Sequence, residues 1–187
     1  MTVPVYALNA THIDQLKAHF DALSDDDAYL RFGNTLNADA RHAYVDRINF
    51  ERDSVFGAYA DDLTLLGVAH LACLSGAAEL GISVLPGFRS HGIGTALFNR
   101  AAMRARNLQI VELFMNCLAH NGAIMHIARK AGMRIMIDDD TADAYLELPP
   151  GNPLTIGQDM AEQGLARFDW VLKANLNYMR RLTDVIR

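Results

Sequence analysis

The chain has 187 residues, 51% of them hydrophobic, which is enough for one domain with a real core and too many for a disordered chain. Seventeen Lys and Arg against 22 Asp and Glu give a formal charge of −5, with no concentrated basic footprint of the kind nucleic-acid binding requires. Cys73 and Cys117 both lie in apolar segments, so nothing points to a disulfide framework or an oxidising compartment.

The opening run MTVPVYALNATHIDQL has neither a basic leader nor a long apolar stretch. The longest near-apolar segment, Leu65 to Leu74, is interrupted by His70 and falls short of the roughly 18 residues a membrane span needs. A cytoplasmic protein is expected, touching neither membrane nor nucleic acid.

In chain order, Val3 to Ala7 reads as a short strand. A helix capped by Asn9 or Thr11 follows, with Ile13, Leu16, Phe20 and Leu23 on one stripe. Ser24 caps a second helix opening on Asp25, Asp26 and Asp27, acids that suit a helix N-terminus. Helical spacing returns from Ala38 to Ile48. The period then changes to that of strands at Ser54 to Ala60, Leu63 to Leu74 and Ala78 to Leu85. Turns at Asp61-Asp62 and Ser75-Gly76 are too short for anything but an antiparallel meander.

A helix is predicted from Gly92 to Arg106, then a buried strand from Ile110 to Leu118. Asn121 caps a further helix that reaches Ala131 and stops at Gly132. Met133 to Ile137 and Ala142 to Leu148 are strands around an Asp-rich turn. The result is an α/β domain over residues 1–148, with helices flanking one mixed sheet. Pro149 to Pro153 reads as a linker, and residues 154–187 as a helical extension. In that extension Leu165, Phe168, Leu172, Asn175, Met179, Leu182 and Ile186 recur at alternating three- and four-residue steps, a coiled-coil seam with one polar position. Gly157 and Gly164 are expected to weaken or interrupt its start.

The chemically informative stretch runs from Glu79 to Thr95. A strand ends, a loop turns, and a helix opens within the pair Gly92-x-Gly94, where bare backbone amides and the helix dipole favour an anion. Arg89 stands three residues before Gly92 and adds charge, so the recipe suits pyrophosphate. Leu97 stands where a dinucleotide fingerprint requires a third glycine or alanine, and no Gly-Lys-Ser/Thr phosphate loop occurs.

Arg89-x-x-Gly92-x-Gly94, then a helix, a buried strand and Asn121-x10-Gly132-Met133, resembles the GNAT superfamily of acyl-CoA-dependent N-acetyltransferases. The segment Leu23-Ser24-Asp25 to Tyr29-Leu30-Arg31-Phe32-Gly33 is similar to a bacterial subgroup of it. The resemblance implies a mostly antiparallel central sheet and acetyl-CoA as co-substrate. It implies that the main-chain amides of Ser90, His91, Gly92, Ile93, Gly94 and Thr95, with Arg89, hold the pyrophosphate. Ile82, Ser83 and Val84 would offer backbone to the pantetheine, and Asn121 would contact the cofactor arm; a plain helix cap accounts for that asparagine equally well. Many members carry a tyrosine general acid seven residues after the asparagine, where this chain has Ala128.

For the base, Glu79 lies on the strand before the loop and shares strand parity with Ser83, and His70 on the preceding strand is the second candidate. A lysine-like amine, with a pKa of about 10.4, must lose a proton before it attacks a thioester. No His, Asp or Glu spacing matches a metal site. The expected function is acetyl transfer from acetyl-CoA directly to a small-molecule or peptide amine. The alternatives left open are a catalytically silent acyl-CoA-binding module, which the missing tyrosine favours, and a nucleotide-binding protein. The C-terminal seam favours a homodimer, with packing on its own domain as the rival.

Overall fold

The structure, a computed structural model, describes residues 3–185, with side chains through residue 180. A seven-stranded mixed sheet has the order β1-β2-β3-β4-β5-β7-β6. Its strands are β1 (Tyr6–Leu8), β2 (Ser54–Tyr59), β3 (Leu65–Cys73), β4 (Ala77–Val84), β5 (Glu112–Leu118), β6 (Arg134–Asp138) and β7 (Thr141–Glu147). The helices are α1 (Ile13–Asp21), α2 (Asp25–Phe32), α3 (Ala38–Asp46), α4 (Ile93–Asn107), α5 (Gly122–Lys130) and α6 (Pro153–Val185). The expected meander of β2, β3 and β4 is antiparallel throughout, and among the described residues only β4 and β5 pair in parallel.

Strand alternation divides the core in two. Phe56 and Ala58 of β2 face the cluster beneath α4 and α5, with Leu71, Leu80, Leu97 and Leu113. Val55 and Tyr59 face the opposite cluster, with Leu16, Phe20, Val45 and Val68. β2 and β3 are thus covered on both faces, which is why their sequences are nearly continuous in apolar residues. Leu63, read as the start of β3, instead takes a left-handed φ of 67° and closes the turn from β2.

Local chemistry sets the helix starts. Asn9 caps a single 3-10 turn leading into α1, and the side chains of Ser24, Asn37 and Asn121 accept from backbone amides at the starts of α2, α3 and α5.

The C-terminal segment departs from its sequence reading. Asn152 and Thr155 cap each other, with Asn152 Oδ1 accepting from the Thr155 amide (3.0 Å) and Thr155 Oγ1 from the Asn152 amide (2.9 Å). Pro153 then opens a helix, the position where its missing N–H costs nothing. The preceding Gly151 donates to the Arg106 carbonyl at 3.1 Å and leaves no room there for a Cβ, so this stretch is seated on the end of α4. α6 runs unbroken through Gly157 and Gly164 for 33 residues.

Tertiary contacts compensate the two glycines. Asp159 pairs with the fully buried Arg100 of α4, and Ala166 enters the core. Trp170 packs edge-on against Tyr59 and Tyr6, with centroids 4.9 and 5.8 Å apart. Lys173 Nζ donates to the Tyr59 carbonyl at 3.1 Å and pairs with Asp169 at 3.0 Å. The heptad seam faces the other way: Leu165, Phe168 and Leu172 are 70%, 67% and 46% exposed. Of the remaining seam positions, the Leu182 side chain and Ile186 lie outside the described residues. No helix among the described residues is long and apolar enough to cross a membrane.

Candidate active site

β4 and β5 pair only at Ala77–Glu112, Ala78–Leu113 and Glu79–Phe114. Past Glu79 they diverge, because β5 turns to pair fully with β7 while β4 follows β3 to Val84. A cleft of about 810 Å³ occupies the opening. Its floor is Ile82, Ser83 and Val84, one wall is the loop and first turn of α4 from Arg89 to Thr95, and the other wall is α5 from Asn121 to Lys130. α2 contributes Asp27, Leu30 and Arg31, and the turn before it Leu23.

The glycine-loop end of the cleft is built by backbone conformation. Ser90 and Gly92 both take left-handed φ values, 63° and 81°, and Gly92 is the N-cap of α4. The amides of the first helical turn have no intrahelical acceptor and face the positive end of the dipole. A Cβ on Gly92 would meet nothing within 4 Å, whereas one on Gly94 would press on Ile127 at 2.9 Å. Gly92 therefore keeps open space for a ligand, and Gly94 lets α5 approach α4. This cradle fits a pyrophosphate.

Arg89 is held beside it. Its guanidinium pairs with Asp27, and its Nε donates to the Val84 carbonyl at 3.2 Å. Burial alone would raise the Asp27 carboxyl; the bonds from Arg89 and Ser24 outweigh burial and keep it below the usual carboxylate value. The Asn121 amide is committed at both ends, accepting from the Ile124 amide at 3.3 Å and donating to the Leu30 carbonyl at 3.2 Å. α2 is thus tied to both walls.

Ser83 has a fixed role. His19 Nδ1 lies 3.0 Å from the Leu65 carbonyl, which can only accept, so Nε2 is the acceptor for the Ser83 hydroxyl at 2.8 Å. The Ser83 proton is used, and only its lone pairs remain for a ligand. Burial holds the His19 pKa down at about 4 against an ordinary 6.5. A histidine whose pKa falls on folding stabilises fully above the unfolded value and loses that stability as pH drops toward the folded one. Lowering the pH from 7 to 4.5 should therefore cost about 2–3 kcal/mol through this residue. Urea midpoints at both pH values, with His19→Gln as the non-titrating control, measure it: the variant should show a smaller pH dependence, and equal dependence would remove His19 as the cause.

The candidate bases stand at the fork, outside the residues that line the cleft. Glu79 is exposed on the last β4 position paired with β5. His70 is buried in a directional chain. Arg31 Nη2 donates to Tyr44 Oη (2.8 Å), which donates to His70 Nδ1 (2.7 Å), whose Nε2–H donates to Asp53 Oδ2 (3.2 Å). Asp53 can only accept, which fixes the order. Burial lowers the His70 pKa despite the Asp53 carboxylate, so the neutral ring has both nitrogens engaged. His70 reaches the cleft only through Tyr44 and Arg31.

Of the loop residues expected at the cofactor, His91 alone does not line the cleft; its Nδ1 donates to the Arg89 carbonyl at 2.7 Å in an exposed position. Ala128 is fully buried in the core beneath α5, while His120 and His126 line the cleft. The sequence reading places Asp27 only among the acids at the start of α2 and Arg31 only in the subgroup resemblance, and it misses Tyr44 and Asp53 as their support. The signal for Asp27 and Arg31 is their spacing, one helical turn apart on the stripe with Leu23 and Leu30. Cys73 and Cys117 are half-buried and their thiols are pushed up by burial, the opposite of an activated nucleophile. No group of His, Cys, Asp or Glu among the described residues could hold a metal ion.

Comparison with known proteins agrees with this architecture. The chain is similar to the GNAT domain of S. lividans PAT, with 16% identity over 79% of this chain and 95% of that one and a TM-score of 0.67. It is similar to yncA, a putative acetyltransferase from Salmonella typhimurium solved with its cofactor acetyl-CoA: 14% identity, 81% and 97% coverage, TM-score 0.64. The ribosomal-protein-alanine N-acetyltransferase from Brucella melitensis gives 17% identity, 77% and 99% coverage and a TM-score of 0.61. At these identities the likeness is one of fold. No curated protein matches the sequence. The family model described as acetyltransferase (GNAT) domain matches residues 6–134, more than two thirds of the chain. With a parallel pair that opens at Glu79 onto an amide-lined glycine cradle, the chain belongs to the GNAT acetyltransferase family.

Proposed function

We propose that the protein is an N-acetyltransferase that moves the acetyl group of acetyl-CoA directly to an amine. The observation that carries this reading is the divergence of β4 from β5 past Glu79, which opens a cleft running to the glycine cradle and leaves a candidate base at the fork beside it. Acetyl-CoA supplies the acetyl group as an activated thioester. The loop amides and Arg89 hold the phosphates, and β4 backbone beyond Glu79, free of a β5 partner, holds the pantetheine. Glu79 takes the proton that the acceptor ammonium must shed, and the unpaired strand edge offers donors to developing negative charge on the carbonyl oxygen. Ala128 supplies no general acid, so the departing thiolate is left to solvent or to another group at the cleft.

Isotope-labelled acetyl-CoA offered with a panel of amines tests this reading. Label transfer supports the enzyme, and tight coenzyme A binding without transfer to any amine supports the silent binding module instead. Glu79→Gln should lower kcat at least tenfold while leaving the dissociation constant of coenzyme A unchanged. An unaltered rate at every pH would return Glu79 to a solvated strand position.

We infer further that a second copy of the chain covers the outer face of α6. Leu165, Phe168 and Leu172 form an exposed strip beside Val171 and Leu176, 55% and 54% exposed. An apolar strip on three–four spacing can pair with a second copy of itself, with Asn175 as the polar position that sets register. Sedimentation at micromolar concentration should give a dimer, and the double variant Leu165→Glu, Phe168→Glu a monomer that still binds coenzyme A. A monomeric intact protein would leave α6 as an intramolecular brace only.

A further inference from the structure

The acceptor end of the cleft contains a cation that the fold makes room for and does not neutralise. The Arg31 guanidinium lies over Gly81, and a Cβ at that position would overlap it. Glycine in the middle of a central strand costs stability, so its presence has to be explained by what approaches; here a side chain from α2 does. Arg31 lines the cleft, its ion packs 4.9 Å from the Phe32 ring centroid and 5.5 Å from that of Tyr44, and Nη2 donates to Tyr44 Oη. Among the described residues no carboxylate lies within ion-pair distance of it, in contrast to Arg89, which is paired with Asp27.

Its support is rigid. Tyr44 is held by His70, and His70 by Asp53, which also accepts from the Cys73 amide at 3.1 Å and from Arg52 Nε at 2.9 Å. A half-buried guanidinium that lines the cleft, is fixed by a three-residue relay and has one of its five donors spent on Tyr44 has the chemistry of an oxyanion receptor. It is not part of the phosphate cradle. Arg89 is anchored on the Val84 carbonyl and Arg31 lies over Gly81, three residues and about 10 Å apart along β4.

The neighbouring charge gives the anion its context. Glu79 and Gly81 point to the same face of β4, about 7 Å apart along the strand. A carboxylate able to receive an ammonium thus stands two strand positions from the glycine over which a guanidinium able to receive an anion is held.

We propose that Arg31 selects the acceptor, and that the acceptor is an amine bearing a carboxylate, of the free α-amino acid type, held with its carboxylate on Arg31 and its amine toward Glu79. The proposal rests on the acetyl-transfer reading above. In it Gly81 is the strand position that admits the guanidinium, and Tyr44, His70 and Asp53 are positioning residues. Removing the carboxylate from the acceptor leaves Arg31 unmatched in the cleft, which is how the site rejects simple amines.

The test uses the intact protein, labelled acetyl-CoA, the twenty common amino acids and their α-amides. Wild type should acetylate at least one amino acid with kcat/KM tenfold or more above its amide. Arg31→Met should abolish that preference, lowering kcat/KM for the acid while leaving the amide within threefold. Arg31→Lys should recover part of it, since a point charge replaces a fork. Calorimetric affinity for coenzyme A should stay unchanged in both variants, which also shows that they are folded. Equal rates on acid and amide, or transfer confined to amines without a carboxylate, would overturn the proposal and leave the acetyltransferase reading standing. An equal loss on both classes in Arg31→Met would also overturn it, by making Arg31 a general support of the fork. Failure to bind coenzyme A or to transfer label at all would overturn the acetyltransferase reading itself, and this proposal with it.

Discussion

Replacing Asp159 by alanine is expected to destabilise the protein by about 3–5 kcal/mol, because it leaves the Arg100 guanidinium buried without a countercharge. Arg100 is among the largest fully buried side chains, with its ion 5.0 Å from the Phe56 ring centroid. The interaction with Asp159 is a charge pairing rather than an aligned hydrogen bond, since Arg100 Nε and Nη1 find no hydrogen-bond acceptor. The other nearby acid, Glu162, lies 3.5 Å away but is half exposed and screened, so Glu162→Ala should cost less than about 1 kcal/mol. Urea denaturation of the two variants separates these values. If Asp159→Ala does not fold, the double variant Arg100→Met, Asp159→Leu should fold, because apolar replacements of similar size remove the charge along with its partner. A loss below about 1 kcal/mol in Asp159→Ala would mean that α6 is not locked to α4 by this pair.

Gly92→Asp is expected to weaken coenzyme A binding well over tenfold, more than about 1.4 kcal/mol, with the fold retained. Two effects act in the same direction. The left-handed φ of 81° disfavours any residue with a Cβ, and the added carboxylate occupies open space in front of the α4 amides, repelling an anion. Gly92→Asn is the control: asparagine tolerates this backbone region and brings no charge, so its effect should be several-fold smaller. Calorimetric titration with coenzyme A checks both. Unchanged affinity in a folded Gly92→Asp protein would remove the phosphates from this loop.

How much could be read in advance depended on whether the signal was local. The meander from Ser54 to Val84 was legible because its turns are too short for any other connection. The Arg89-x-x-Gly92-x-Gly94 loop was legible only with the order of elements around it, since a glycine pair at a strand–helix junction also serves tight turns for purely conformational reasons. Proline composition alone reads Pro149 to Pro153 as a linker, whereas the reciprocal bonds of Asn152 and Thr155 turn Pro153 into the first residue of a helix. In α6 the apolar seam drew the eye, yet the helix docks on its domain through the other face, where Asp159, Ala166, Trp170 and Lys173 meet partners distant in sequence. Arg31, Tyr44, His70 and Asp53 come from four separate elements. Their meeting depends on the register that sets His70 opposite Gly81, and no spacing along the chain encodes it.

The position of acetyl-CoA in a crystal of the intact protein tests the central claim most directly. The account predicts the pyrophosphate on the amides between Ser90 and Thr95, the pantetheine along Ile82 to Val84, and the thioester at the opening beside Glu79. A cofactor seated elsewhere, or one whose acetyl group points away from the fork, would contradict it.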